Sequence, residues 1–168
     1  MENPLSAFAK IKAFVFDVDG VMTAGRVLVG EGGELLRTVS IKDGYAVQLA
    51  IKLGYRVAII TGGSSDGVRK RFSKLGVKDY YSGVQSKKEV FVAYLERHGL
   101  QANEVLYMGD DIPDYDVMKL VGLAAAPSDA CPEILAVSHF VSGLKGGEGC
   151  VRDVIERVLK LNGSWPVA

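Results

Sequence analysis

Phe14-Val15-Phe16-Asp17-Val18-Asp19-Gly20-Val21 places two carboxylates two residues apart at the end of an apolar run, with a glycine directly after them. Along an extended strand, residues i and i+2 share a face. Asp17 and Asp19 therefore emerge together where a strand at 13–16 ends and the chain turns. Two carboxylates at one point repel unless something uses them. A lone Asp-Gly after a buried strand is more often a turn or a helix cap, so the meaning of the pair depends on what the other strand ends carry.

From Asp43 onward, apolar runs alternate with helical patterns. Glycine marks the expected helix ends at Gly54, Gly76, Gly99, Gly122 and Gly163, as the left-handed C′ position prefers. Candidate strands lie at 57–60, 80–82, 105–108, 123–125 and 140–142. Several are continuously apolar, as in a parallel sheet covered on both faces. Ser86-Lys87-Lys88-Glu89 has the form of a capping box that opens a helix running to about His98. The last helix sets Val151, Val154, Ile155, Val158 and Leu159 along one buried face. Before Asp43, the β-rich runs 26–29 and 34–39 flank a glycine-rich turn and predict a hairpin. The first ten residues carry weak helical character. The pattern predicts a single domain over 1–168 of the α/β class: a doubly wound, Rossmann-like, mostly parallel sheet with a β-hairpin inserted after strand 1 and no cap domain.

The 20 basic and 20 acidic residues balance, and no Lys/Arg block exists. Neither a nucleic acid nor a membrane surface is therefore expected as a partner; a small molecule or another protein chain is. Cys131 and Cys150 lie far apart without a CxxC, and there is no leader-like segment and no apolar run long enough to span a bilayer. The chain reads as cytoplasmic, with both thiols reduced and structural. His98 and His139 have no neighbour at metal-ligand spacing and also read as structural.

Ligands in a doubly wound sheet bind beyond the carboxyl ends of the strands, near the point where strand order reverses. The first strand ends in Asp17 and Asp19, the second in Thr61-Gly62-Gly63-Ser64, and the fourth in Gly109-Asp110-Asp111-Ile112-Pro113-Asp114, while Lys87 opens the helix after the third. Each group alone has an ordinary explanation as a cap, a turn or a surface lysine. Their joint placement at successive strand ends makes a chance arrangement improbable.

In these motifs the chain resembles the haloacid dehalogenase-like phosphohydrolases, whose Asp-x-Asp-Gly, Ser/Thr-Gly, Lys and Gly-Asp-Asp-x-x-Asp recur here in that order. Within that family it looks most like the small capless phosphatases of 3-deoxy-D-manno-octulosonate 8-phosphate. Lys42-Asp43-Gly44-Tyr45 and the tail Gly146-Gly147-Glu148-Gly149 with Arg152 add to the likeness. The resemblance implies that Asp17 attacks phosphorus to form an aspartyl-phosphate, and that Asp19 protonates the leaving oxygen and then activates water. It also implies Mg²⁺ held by Asp17, Asp110 and the backbone carbonyl of Asp19, with Asp111 and Asp114 orienting the metal's waters or Lys87. Thr61, Gly62 and Lys87 then hold the phosphoryl oxygens. The physical reason for a cation is plain: a carboxylate approaching a phosphate dianion meets repulsion of roughly 4 kcal/mol per charge pair at about 4 Å. Mg²⁺ suits an oxygen-only site.

A sugar-acid phosphate also needs a basic group for its carboxylate. Arg71 is the first candidate, and the Gly146, Gly147 and Arg152 tail is the second. Phosphatases of nine-carbon sialic-type acids resemble the chain too, but some carry a glutamate directly after Thr-Gly, where this sequence has Gly63. The family also implies a homotetramer, whose interface would cover the apolar hairpin at 27–39 and supply the missing cap. A phospho-acceptor receiver domain is the rival of another class. It places its acid pair on the first strand and its phospho-accepting aspartate later, an order these motifs do not follow.

Overall fold

The computed structural model describes residues 4–167. In chain order the elements are α1 (Pro4–Ala9), β1 (Ala13–Phe16), β2 (Leu28–Val29), β3 (Leu35–Leu36), α2 (Ile41–Lys52), β4 (Arg56–Ile60), α3 (Asp66–Lys74) and β5 (Asp79–Tyr81). They continue with α4 (Lys87–His98), β6 (Val105–Met108), α5 (Tyr115–Met118), β7 (Leu123–Ala126), α6 (Pro132–Val137), β8 (Phe140–Val141) and α7 (Cys150–Leu161). Six strands form one parallel sheet in the order β5-β4-β1-β6-β7-β8. The chain builds outward from β1 to one edge, then crosses back to lay β6 on its other side. The carboxyl ends of β1, β4 and β6 thus meet at the switch in strand order, as the doubly wound prediction requires.

The four residues of β1 are wholly buried and alternate between two cores. Phe14 and Phe16 face Val47 of α2, Phe72 of α3 and the Val154 and Val158 stripe of α7. Ala13 and Val15 face Phe91 and Tyr94 of α4, Met118 of α5 and Ile134 of α6. Each large apolar side chain so buried contributes roughly 1.5–3 kcal/mol, and both faces of the sheet need their helices. Val151, Val154, Ile155, Val158 and Leu159 are all buried, as their spacing predicts. Cys150 is buried and Cys131 partly so. His98 pairs with Asp79 at 3.0 Å, and His139 accepts from the Ala124 amide at 3.0 Å.

Ser86 caps α4, its hydroxyl accepting from the Glu89 amide at 3.4 Å. Of the five glycines expected in left-handed C′ positions, Gly54, Gly76, Gly99 and Gly163 have positive φ and Gly122 does not. Gly122 answers a close approach instead: a Cβ there would lie 2.5 Å from the Asn103 Cα.

The hairpin is shorter than its two apolar runs predict. Only Leu28–Val29 and Leu35–Leu36 pair, antiparallel, and all four side chains are exposed. A two-stranded ribbon with nothing over its apolar side has little beyond its ladder to extend it. After Leu36 the chain turns back toward the sheet.

Candidate active site

Asp17 directly follows β1, and its amide donates to the Met108 carbonyl, extending the ladder by one step. Its carboxylate is pinned at both oxygens. Oδ1 accepts from the Val18 amide at 2.7 Å, and Oδ2 lies 2.9 Å from Lys87 Nζ. Lys87 begins α4, where Ser86 caps the helix and sends the lysine inward. Its Nζ also donates to Asp114 Oδ1 at 2.7 Å. Asp114 is fully buried and saturated: Tyr107 donates its hydroxyl to Oδ1 at 2.5 Å, and the Asp110 and Asp111 amides approach Oδ2 at 3.2 and 3.5 Å. Burial alone would lower the Lys87 pKa, yet Asp114 and Asp17 together raise it. The lysine therefore stays charged between its two carboxylates.

Asp110 completes the acidic cluster. One oxygen from each of Asp17, Asp110 and Asp114 lies within 4.8 Å of the others. Burial first, and then the Asp17 and Asp114 charges, push the Asp110 pKa up to about 8 against the pull of Lys87. Burial, then Asp114, raises Asp17 to about 6, again opposed by Lys87. Asp110 Oδ1 is buried with no hydrogen-bond partner. Crowded carboxylates, two of them with pKa values raised by burial and by one another's charge and one with an orphaned oxygen, make a fitting cradle for a hard divalent cation. Gly20 makes the crowding possible. Its φ is 93°, and a Cβ there would sit 1.8 Å from Asp110 Oδ2, so only glycine lets the carboxylate lie against the Asp19–Gly20 backbone.

Asp19 stands at the mouth of this cluster. Its carboxylate is gripped by Arg37, with Nε to Oδ1 at 2.7 Å and Nη2 to Oδ2 at 3.1 Å. Sequence reasoning missed Arg37. It lies in irregular chain after β3, and the only hint was alternation, which turns it away from the exposed Leu36. Thr61 is buried at the end of β4, and its Oγ1 accepts from the Gly63 amide at 3.2 Å, leaving its proton free to donate. Asp19, Thr61, Gly62 and Gly63 line a cleft of about 310 Å³ with Asp17, Lys87, Asp110, Asp111 and Asp114, and Arg37 lies next to it, in a small crevice that shares Asp19, Thr61 and Gly63. A larger cavity, about 550 Å³, opens around Lys12, Tyr55 and Arg56 at the amino ends of the strands, away from the carboxylates; size alone does not locate the chemistry.

Several predicted placements need correction. Gly62 lies in the loop beside Thr61, before Ser65 caps α3. Asp111 lines the cleft with its Oδ1 accepting from the Ile112 amide at 2.8 Å, and of the two acids it is Asp114 that holds Lys87. Arg71 is not brought to the cleft. It points back onto α2, where Gly44 leaves room: a Cβ there would meet its Nη2 at 2.8 Å. Arg152 is also elsewhere, paired with Glu156 at 3.2 Å and lying 5.2 Å from the Trp165 ring centroid. Gly146 and Gly147 offer no side chain to a substrate. They pack on the catalytic loop so closely that a Cβ on Gly146 would lie 1.9 Å from the Gly20 carbonyl oxygen.

The model of one family, the haloacid dehalogenase-like hydrolases, matches residues 27–122. The chain belongs to that family. The match begins beyond Asp17 and Asp19, but longer similarities take in nearly the whole hydrolase. It is 38% identical over 158 residues to the 3-deoxy-D-manno-octulosonate 8-phosphate phosphatase KdsC of Yersinia pestis, covering 94% of this chain and 84% of that protein. The Escherichia coli K12 protein of the same name is 36% identical over 153 residues, or 91% and 81% of the two chains. A crystal structure of the Moraxella catarrhalis phosphatase, in complex with a magnesium ion, a phosphate ion and KDO, superposes with a TM-score of 0.93. It is 30% identical and covers 98% of this chain and 95% of that one. Membership in a hydrolase family sets the receiver-domain reading aside.

Proposed function

We propose that this hydrolase is a Mg²⁺-dependent phosphatase that releases phosphate from 3-deoxy-D-manno-octulosonate 8-phosphate, a step in lipopolysaccharide synthesis. The observation that carries the reading is the cluster of Asp17, Asp110, Asp114 and Lys87 beside Asp19 at the strand switch, in a chain whose relatives act on that ester. Asp17, Asp110 and the Asp19 backbone carbonyl would hold the ion, which when bound neutralises the repulsion between carboxylate and phosphate.

The residues divide the work as follows. Asp17, fixed by the Val18 amide and Lys87, attacks phosphorus; the ester P–O bond breaks, and Asp19 gives its proton to the departing sugar oxygen. Asp19, now a carboxylate, takes a proton from water as that water attacks the aspartyl-phosphate, and the P–O bond to Asp17 breaks to release inorganic phosphate. Lys87 and the Thr61 hydroxyl hold the phosphoryl oxygens, with Gly62 beside them. Asp114 acts through Lys87 by holding it in place.

Gly63 favours the eight-carbon acid over a nine-carbon one. This rests on the glutamate that some phosphatases of nine-carbon acids carry at this position; in this chain a Cβ there would lie 3.1 Å from Asp19 Oδ2. The outward-facing hairpin supports a homotetramer in which a neighbouring subunit covers it and closes the cleft. Among the described residues no helix is long and apolar enough to cross a membrane. The deciding experiment is kcat/KM on the eight-carbon 8-phosphate and a nine-carbon acid 9-phosphate. A clear preference for the first is expected, and a preference for the second would overturn the assignment.

A further inference from the structure

The site as described has no group for the carboxylate of a sugar acid. Lys87 is committed to Asp17 and Asp114, and Arg71 and Arg152 are turned elsewhere. Arg37 lies beside the cleft, on the carboxylate of Asp19. Its side chain is 7% exposed, against 38% for its partner Asp19. It is therefore covered, though close to the surface, and already set in a two-pronged grip on a carboxylate.

That grip cannot persist through turnover. Arg37 occupies both oxygens of Asp19, while the acid must present one of them to the leaving oxygen of the ester. When Asp19 turns to the substrate, a covered guanidinium loses part of its partner, which is costly unless another anion replaces it. In the ring form of a 2-keto sugar acid, the carbon bearing the carboxylate and the carbon bearing the phosphorylated side chain both flank the ring oxygen. A substrate whose ester oxygen reaches Asp19 thus carries its carboxylate into the same neighbourhood. The planar guanidinium fork matches a carboxylate in two-point geometry. Gly63 borders the same place, where a Cβ would make only ordinary contact with Arg37 Nη2, at 3.5 Å.

We propose that Arg37 is the specificity-determining residue that binds the substrate carboxylate, exchanging Asp19 for the substrate and so releasing the acid to the leaving group. This rests on the sugar-acid phosphatase reading above. It follows that a carboxylate-free sugar phosphate should be a poor substrate, because nothing then relieves Arg37 of Asp19.

The test compares kcat/KM on octulosonate 8-phosphate and on glucose 6-phosphate, with Mg²⁺, for the wild type, Arg37→Met and Arg37→Lys. In Arg37→Met the value on the sugar acid should fall at least about tenfold, the loss of a charged hydrogen-bonded contact, mainly through KM. The value on glucose 6-phosphate should rise, because no guanidinium then holds Asp19 away from the leaving oxygen. Arg37→Lys, which keeps the charge and loses the fork, should shift the same ratio less, and it serves if the methionine variant fails to fold. Calorimetric titration with free octulosonate, which involves no turnover, should show weakened binding in both variants. An equal fall on both substrates would show that Arg37 acts only through Asp19 or the fold and would overturn the proposal, as would unchanged values on both. Those results leave the phosphatase reading standing. A wild type that does not prefer the sugar acid removes both.

Discussion

The acidic cleft and the hairpin lie a few residues apart in the chain and are built on opposite terms. In the cleft, the Asp17 and Asp114 carboxylates and Lys87 are buried and each is held by at least two partners. In the hairpin, two residues pair with two, and Val27, Leu28, Val29, Leu35 and Leu36 all face outward. The contrast teaches which part of the molecule the chain finishes alone. A buried charge must be paired or hydrogen-bonded within its own fold, so the cleft is complete up to its ion. An apolar ribbon can wait for a partner's surface. Arg37 joins the two regions, because it leaves β3 and ends on Asp19.

The largest effect that sharpens this contrast is at the acid. Asp19→Asn should lower turnover by about 10² or more while the fold stays intact, since the side chain projects from the strand end. Thermal unfolding and steady-state kinetics check the two halves separately, and more than a tenth of the wild-type rate would contradict the role.

A smaller effect concerns the strain within the metal-free cluster. Asp110 and Asp17 have folded pKa values near 8 and 6, above the ordinary 3.8. Between about pH 4 and 8 the folded chain therefore keeps protons that the unfolded chain has released. This pair consequently favours folding at low pH, and its contribution is lost as pH rises through those values. In chelator, chemical denaturation should show the wild type losing about 1 kcal/mol or more relative to Asp110→Asn between pH 5.5 and 8, a figure discounted because Asp110 is partly exposed. A difference that does not change with pH would contradict the reading of the cluster.

The smallest effect on the fold, and the one that most separates the two regions, is expected in the hairpin. If the hairpin builds the proposed tetramer, Leu28→Ser with Leu36→Ser should shift the sedimentation profile toward smaller species. The stability of the separated chain should change by only about 0.5 kcal/mol, because both side chains are already exposed. A wild type that sediments as a monomer at micromolar concentration would break the comparison altogether.

The strands, their two-faced burial and the placing of Asp17, Thr61, Lys87, Asp110 and Asp114 were legible because each follows from a period or from a strand end, and these are local features of the chain. Arg37 was not legible, for it sits where no period operates and its partner Asp19 lies across an irregular loop. Arg71 and Arg152 were misread for the same reason in reverse. A long cation near a motif has a position but no direction in sequence, and direction was set by the space at Gly44 and by the Trp165 ring. In the sequence Gly146 and Gly147 read, with Arg152, as a second candidate for the substrate's carboxylate. They are instead the contact that lets the chain's far end brace the Gly20 turn.

The most direct test of the central claim is phosphate release from octulosonate 8-phosphate by the wild type and Asp17→Asn, each with Mg²⁺ and after chelation. The arrangement of Asp17, Asp110 and Lys87 predicts turnover only in the wild type with Mg²⁺, restored when the ion is returned after chelation. Full activity in chelator, or in Asp17→Asn, would contradict it.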